Sequence, residues 1–473
     1  MKRYDLLVIG TGSGGLSIGL TMHELGFKVL FIEKDAQNIG GECLNTGCVP
    51  SKALIHVSRL IHQAKEAQEF GLTSTGKPDF ERVKQYIQER IALIRKHENA
   101  DFFREQGIDV VIGTARFTGK DRVEAAGVTF TARRIVIATG SQSVPLQVPG
   151  VEQVTLQDNQ TIFSMDTLPN RLLVVGGGPV AMELSQAFHR LGSQVTVVQS
   201  GERILDKEAP EVSTLLLDRL THEGIGIRLQ TKVIAFESAT CAILEDKAGT
   251  KSKLAFDAVL VAIGRQVNVD ALEPETAGIK TESGKLKLND YLQTTNPRIY
   301  AIGDVTDQLY FSHTAEMQAP ILINNFLSPF KQKVSYRHFS WVTFTDPEVA
   351  TFGLSEQQLT QQGIAYEKID YGFAEDDRAV IDSYTYGKQW LYLAKGNKLF
   401  GKRKILGGSV VAPLAGEMIQ DLILANTSGL GAGAIQKKIY PYPVASRVSK
   451  SALLEQLKGN IPVWAKAILR WLY

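Results

Sequence analysis

The strongest constraint on this chain is a unit that occurs twice. "YDLLVIGTGSGGLSIGLTMHELGFKVLFIEK" (4–34) reads as a strand, a glycine turn, a helix and a second strand. Gly10, Gly12 and Gly15 stand in G-x-G-x-x-G order. The first allows the tight turn, the second lets backbone approach a pyrophosphate, and the third lets the helix pack close to the sheet. The phosphate then sits on a helix N-terminus, drawn by free N–H groups and the dipole. Glu33 ends the second strand, 23 residues after Gly10, where a carboxylate can bind a ribose hydroxyl. "RLLVVGGGPVAMELSQAFHRLGSQVTVVQS" (171–200) repeats the pattern with Gly176, Gly178 and Ala181. Gln199 takes the offset of Glu33. Two such units predict two bound dinucleotides. Gln199 lacks the charge that repels a 2′-phosphate, so the preference between NAD and NADP stays open, leaning toward tolerance of NADPH.

At 473 residues the chain is too long for one core, so two or three domains are expected. The formal net charge of +2 gives no reason to expect nucleic acid. Three cysteines cannot build a secreted disulfide framework. The start, "MKRYDLLVIGTGSGG", has no signal-peptide pattern, and no apolar run reaches the 18 or more residues of a membrane span. These features predict a cytoplasmic protein.

Two cysteines fall close together in "GGECLNTGCVPSK" (40–52), as Cys43 and Cys48. The following helix is predicted to start near Val49, with Pro50 in its first turn. A disulfide needs Cα atoms within about 7 Å. Positions i and i+5 of a regular helix lie about 7.5 Å apart along the axis alone. The "LNTG" segment must therefore bend, with Gly47 supplying the freedom. Cys48 then sits at a helix N-terminus, where its thiolate is stabilised. A structural disulfide would close too small a loop to stabilise much. A zinc half-site lacks its other half, since Cys241 is isolated in a strand-like stretch. A redox-active dithiol fits best, because the pair follows a dinucleotide unit by a few residues.

That stretch resembles the active-site motif of the pyridine nucleotide–disulfide oxidoreductases, which include dihydrolipoamide dehydrogenase, glutathione reductase and mercuric reductase. The resemblance extends through "IVIATGSQ" (135–142), "VLVAIGRQVN" (259–268), "TTNPRIYAIGDV" (294–305) and "FTDPEVATFGLSE" (344–356). It implies an α/β fold: two Rossmann-like domains, for FAD and for NAD(P), and an α+β C-terminal dimerisation domain. The implied boundaries are 1–148 plus 270–337 for a discontinuous FAD domain, 149–269 for NAD(P), and 338–473 for the domain that forms a homodimer. FAD would lie on Gly10, Gly12, Gly14, Gly15, Glu33, Lys34, Gly41, Thr139, Gly140, Gly303, Asp304 and His313. Asp304 matches the family residue that binds the ribityl chain. His313, in the helix segment "FSHTAEMQ", fits either a ligand or a satisfied polar residue. The nicotinamide nucleotide would lie on Gly176, Gly178, Gln199, Gly264 and Arg265.

The resemblance further implies that hydride passes from the nicotinamide to the flavin, and electrons on to a Cys43–Cys48 disulfide. Cys48 would touch the flavin and Cys43 would meet substrate. Lys52, one helical turn beyond Cys48, matches the family lysine beside the flavin, and Glu183 its ion-pair partner. Read without the resemblance, both would be solvated surface charges.

One segment departs from the family. Thiol-substrate members end with H-P-x-x-x-E, whose His moves the thiol proton. Here the segment reads "YPVASR", with Tyr442 for the His and Arg447 for the Glu, and no histidine follows His338. A neutral Tyr, pKa about 10, is a poor base at pH 7. Mercuric reductase also carries a Tyr there, but the sequence shows no terminal cysteine pair of that branch, and an N-terminal metal-binding domain is not expected. The expectation is a mercuric-reductase-like NAD(P)H oxidoreductase reducing a small-molecule electron acceptor, with Tyr442 at the site. The alternatives are dihydrolipoamide dehydrogenase, or a non-catalytic flavoprotein redox sensor. No resident metal is expected. The tail "IPVWAKAILRWLY" is amphipathic and is expected to pack on the dimer rather than to contact a membrane surface.

Overall fold

The computed structural model describes residues 3–73, 76–396, 402–459 and 463–473. The apolar strand Arg3–Ile9 lies in the middle of a parallel sheet, between Val29–Glu33 and Val128–Ile137. Leu7 is level with Leu30 on one side and Ile135 on the other. Leu6, Leu7 and Val8 are fully buried, as both faces of a parallel sheet require. Asp109–Ile112 extends one edge. On the other side, Val128–Ile137 is shared. Its first half pairs antiparallel with Arg122–Ala125, and its last three residues pair in parallel with Ile299–Ala301. A strand from late in the chain thus completes the sheet begun at residue 3.

A second parallel sheet has the order Gly226–Arg228, Gln194–Val198, Arg171–Val175, Ala258–Val261, Leu156–Gln157. Between its strands the chain makes an antiparallel ribbon of Thr231–Ser238, Cys241–Asp246 and Lys251–Ala255. The two parallel sheets share a detail that joins four of the motifs. Ala138, of "IVIATG", donates its N–H to Ile9 O at 2.7 Å, and Ala262, of "VLVAIG", donates to Val175 O at 2.8 Å. Each alanine carbonyl then stands 2.3 Å from where a Cβ would be on Gly10 or Gly176, so neither glycine has room for a side chain. Both adopt positive φ, +97° and +120°. The repeat is therefore a whole βαβ unit with a third strand, not only a glycine turn.

The third sheet is antiparallel, ordered Ser340–Thr343, Glu348–Gly353, Ile405–Ala412, Lys388–Ala394, Tyr366–Gly372, with helices Gln420–Thr427 and Val448–Gly459 beside it. One apolar cluster links the parts. It runs from Leu54 of the cysteine helix Cys48–Glu66 through Met182, Leu184 and Phe188 of helix Pro179–Leu191 to Val349, Trp390 and Val411 of the third sheet. This packing fixes the cysteine helix against the helix that opens the second dinucleotide unit. Among the described residues no helix is long and apolar enough to cross a membrane.

Candidate active site

The first glycine turn leaves helix Ser13–Glu24 capped by Gly12 with no side-chain hydrogen bond, so its first-turn N–H groups stay available to an anion. Gly41 has φ +65°, and a Cβ there would lie 2.4 Å from Gly12 Cα. The cysteine-bearing segment and the phosphate turn thus touch backbone to backbone. Gly15 packs on Gly10 O, and Gly14 on Ile302 and Ala315. Glu33 is buried, and its Oε2 accepts from both the N–H and the hydroxyl of Thr11 at 2.9 Å. Thr11, inside the motif, carries the orienting bond that glycine spacing alone does not reveal. Lys34 is exposed, and its N–H donates to Glu33 Oε1 at 2.9 Å. Thr139 Oγ1 donates to Asn268 O at 2.5 Å, and Gly140 and Gly303 both take positive φ. This donor set, with its uncapped helix and glycine-lined approach, fits FAD.

In the second unit Gly178 caps helix Pro179–Leu191, again without a side-chain bond, and nothing stands within 4 Å of a Cβ placed there. Gln199 folds over Gly177 and donates from Nε2 to Arg203 O at 3.2 Å. Gly264 has φ +141°, and its carbonyl accepts from Val144 N–H at 3.0 Å. This open, uncapped turn fits a nicotinamide nucleotide.

Cys43 does not lie in a loop. It sits in a short helix, Gly41–Asn45, while Cys48 begins the long one, and the chain breaks at Thr46 and Gly47. A side chain at Gly47 would crowd Glu42 O at 2.9 Å, so the bend needs glycine. Both cysteines are free thiols, Cys43 half-buried and Cys48 exposed. A hydrogen bond from Cys43 lowers the Cys48 thiol to about 6, with Ser312 and Lys52 pulling the same way against burial. The same bond, and then burial, pushes Cys43 upward. The pair therefore holds one negative charge near neutral pH, and it rests on Cys48. Ser312 Oγ lies 3.3 Å from Cys48 Sγ and begins helix Ser312–Leu327, so two helix N-termini face the thiolate.

Four residues on, Lys52 Nζ donates to Glu183 Oε2 at 2.6 Å. Glu183 is buried, and its Oε1 accepts from Phe344 N–H at 2.9 Å. The lysine ammonium also lies 4.5 Å from the centre of the Phe344 ring. The ion pair thus joins the cysteine helix, the second dinucleotide unit and the third sheet. Arg265 performs a similar junction. Its guanidinium pairs with Glu42, donates from Nε to Ser141 Oγ at 2.7 Å, and lies 3.7 Å from Asp304 Oδ2. Ser141 Oγ in turn donates to Asp304 at 2.6 Å. Burial pushes the carboxyls of Glu42 and Asp304 upward, against the pull of Arg265. Ser312, Glu42 and Ser141 escaped the sequence reading because each takes its role from a partner more than a hundred residues away.

His313 binds Ser340 O at 2.7 Å and stacks on Phe339 at 4.6 Å, so both its ring face and one nitrogen are engaged within this chain. Tyr442 is exposed. Its hydroxyl donates to Asp377 Oδ2 at 3.2 Å, and the Arg447 guanidinium lies 5.6 Å from its ring centre. Cys241 is half-buried beside Glu237 and far in sequence from the pair.

Residues 4–319 match the model of the pyridine nucleotide-disulphide oxidoreductases, and 339–453 that of their dimerisation domain. Mercuric reductase of Staphylococcus aureus is 32% identical over 455 residues, covering 95% of this chain and 82% of that protein. Dihydrolipoyl dehydrogenase of Thermus scotoductus is 33% identical over 453 residues, covering 94% and 96%. Among solved structures, the Cu(II) complex of the HOCl-induced flavoprotein disulfide reductase RclA from Escherichia coli is similar with a TM-score of 0.84 at 26% identity, covering 96% of this chain and all of that one.

Proposed function

Because this chain belongs to the pyridine nucleotide-disulphide oxidoreductase family, an FAD- and NAD(P)H-dependent enzyme class, we propose that it reduces a small acceptor other than lipoamide, with a thiophilic metal ion the best fit. The observation that carries this reading is Tyr442. A dithiol–disulfide exchange needs a group that accepts a thiol proton near pH 7. At this position the chain offers a phenol whose hydroxyl already donates to Asp377, beside the positive charge of Arg447. A metal ion needs no such base. It needs thiolates as ligands, and Cys48 supplies one near neutral pH.

FAD held on the first glycine turn by Gly10, Gly12, Gly41 and Glu33 would supply the hydride-accepting chemistry that turns NAD(P)H into an electron pair for the cysteines. The Cys43–Cys48 disulfide takes two electrons and one proton to become a thiol–thiolate pair. Cys48, held low by Cys43, Ser312 and Lys52, keeps its sulfur ionised. Cys43, with its proton held, is the thiol offered to the acceptor. Lys52, anchored by buried Glu183, places a cation on the face of the helix that carries Cys48. A divalent thiophilic ion exchanges its soluble ligands for the two sulfurs, releasing the Cys43 proton to solvent, and takes up the electron pair as the two sulfurs re-form their disulfide. Mercuric reductases among the relatives, and a Cu(II) complex among the similar structures, support this acceptor class.

Strand Ile299–Ala301 in the first sheet supports reading 1–148 with 270–337 as one FAD domain, with NAD(P) on 149–269. The dimerisation-domain match supports a homodimer, and the cytoplasm is the compartment we propose for it. Cys43→Ser tests the proposal. The variant should still bind FAD and be bleached by NAD(P)H, yet lose turnover with mercuric ion. Retained metal turnover would remove the cysteine route.

A further inference from the structure

We propose that helix Val463–Leu472 is an interfacial anchor that seats the enzyme on an anionic lipid bilayer. The helix carries Trp464, Ile468 and Trp471 at i, i+4 and i+7, so they share one stripe, with Leu472 beside them. All four are exposed, Trp471 at 83% and Leu472 at 68%. Isolated surface apolar residues need no explanation, but two tryptophans in one stripe form a patch that does. Lys466 and Arg470, also at i and i+4, lie on the opposite side and are exposed.

Three observations select a lipid surface over other occupants. First, residues 456–473 contain Lys458, Lys466 and Arg470 and no Asp or Glu, so the segment complements an anionic surface. Second, the match to the family's dimerisation domain ends at residue 453, so the helix lies beyond the segment that this match covers. Third, tryptophan beside basic residues is the composition that settles at the boundary between headgroups and acyl chains. Ten residues of helix span about 15 Å, half the hydrocarbon thickness of a bilayer, so the helix lies on the membrane rather than across it. One short helix with few charges binds weakly.

The test uses the full FAD-loaded enzyme with sedimented vesicles of phosphatidylcholine alone or with a third phosphatidylglycerol. Bound enzyme should be at least tenfold greater on the anionic vesicles and fall with added salt. Trp464→Ser with Trp471→Ser should abolish binding to both, and Lys466→Glu with Arg470→Glu should abolish the anionic preference. Flavin content and NAD(P)H oxidation should stay unchanged in each variant, which separates anchoring from folding. Equal or absent binding to the two vesicles, or undiminished binding by the Trp variant, overturns the proposal. So does a lipid-free wild-type assembly larger than that of the variant lacking the two tryptophans, since that would assign the stripe to a second copy.

Discussion

Ser312 Oγ meets Cys48 Sγ at 3.3 Å across 264 residues of sequence, placing the start of one helix against the start of another. The contact makes Ser312 part of what keeps Cys48 ionised. Ser312→Ala should raise the Cys48 pKa from about 6 by about one unit, the worth of one hydrogen bond to a thiolate. The long-wavelength absorbance that a thiolate gives beside oxidised flavin, followed against pH, measures it directly.

The same shift makes the stability of the reduced protein depend on pH. The hydrogen bond from Cys43 holds the folded Cys48 thiol down at about 6, from an ordinary value of 9.0. Below 6 both states hold the proton, and nothing is gained. Between 6 and 9 only the unfolded state holds it, so stability rises with pH and is lost again as pH falls through 6. Melting temperatures of wild type and Cys48→Ser under reductant should diverge across this window, with wild type gaining. Parallel curves would show that Cys48 is not depressed.

Glu183 should matter more than its position on a helix suggests. Glu183→Gln keeps an acceptor for Phe344 N–H but removes the charge that fixes Lys52. Because Lys52 is partly exposed, the stability loss should be modest, about 1–2 kcal/mol. Flavin reduction by NAD(P)H in a stopped-flow trace should slow by roughly tenfold, the effect of misplacing one cation near the reacting atoms.

Two glycines of similar appearance should behave differently. Gly41→Ala meets both a positive φ and Gly12 Cα at 2.4 Å, so FAD content and melting temperature should fall together. Gly178→Ala meets an ordinary φ and open space, so the fold should survive. Its new methyl would stand where a pyrophosphate approaches, raising the KM for NAD(P)H with FAD content unchanged.

Much of this arrangement was legible in the sequence, and the reason is local. The glycine turns, the strand–helix–strand order and the Cys48–Lys52 spacing are set by residues near one another, and each appears where expected. The short helix Gly41–Asn45 around Cys43 is not legible in the sequence, because its five residues begin on a glycine and sit between Gly40 and Gly47, which signal a turn. The Arg265–Glu42 pair was not legible, since it joins residues 223 apart through two sheets. Likewise, only packing shows that Glu183, a charge on an amphipathic helix, is buried.

Under the proposed function, Tyr442 closes the route to lipoamide while the thiols remain open to a metal ion. Wild-type NAD(P)H oxidation, measured side by side with lipoamide and with thiol-buffered mercuric ion, tests it most directly. The expected result is turnover on mercuric ion and near-background turnover on lipoamide, with Tyr442→His raising the lipoamide rate. Brisk lipoamide turnover by the unaltered enzyme, with none on mercuric ion, would contradict it.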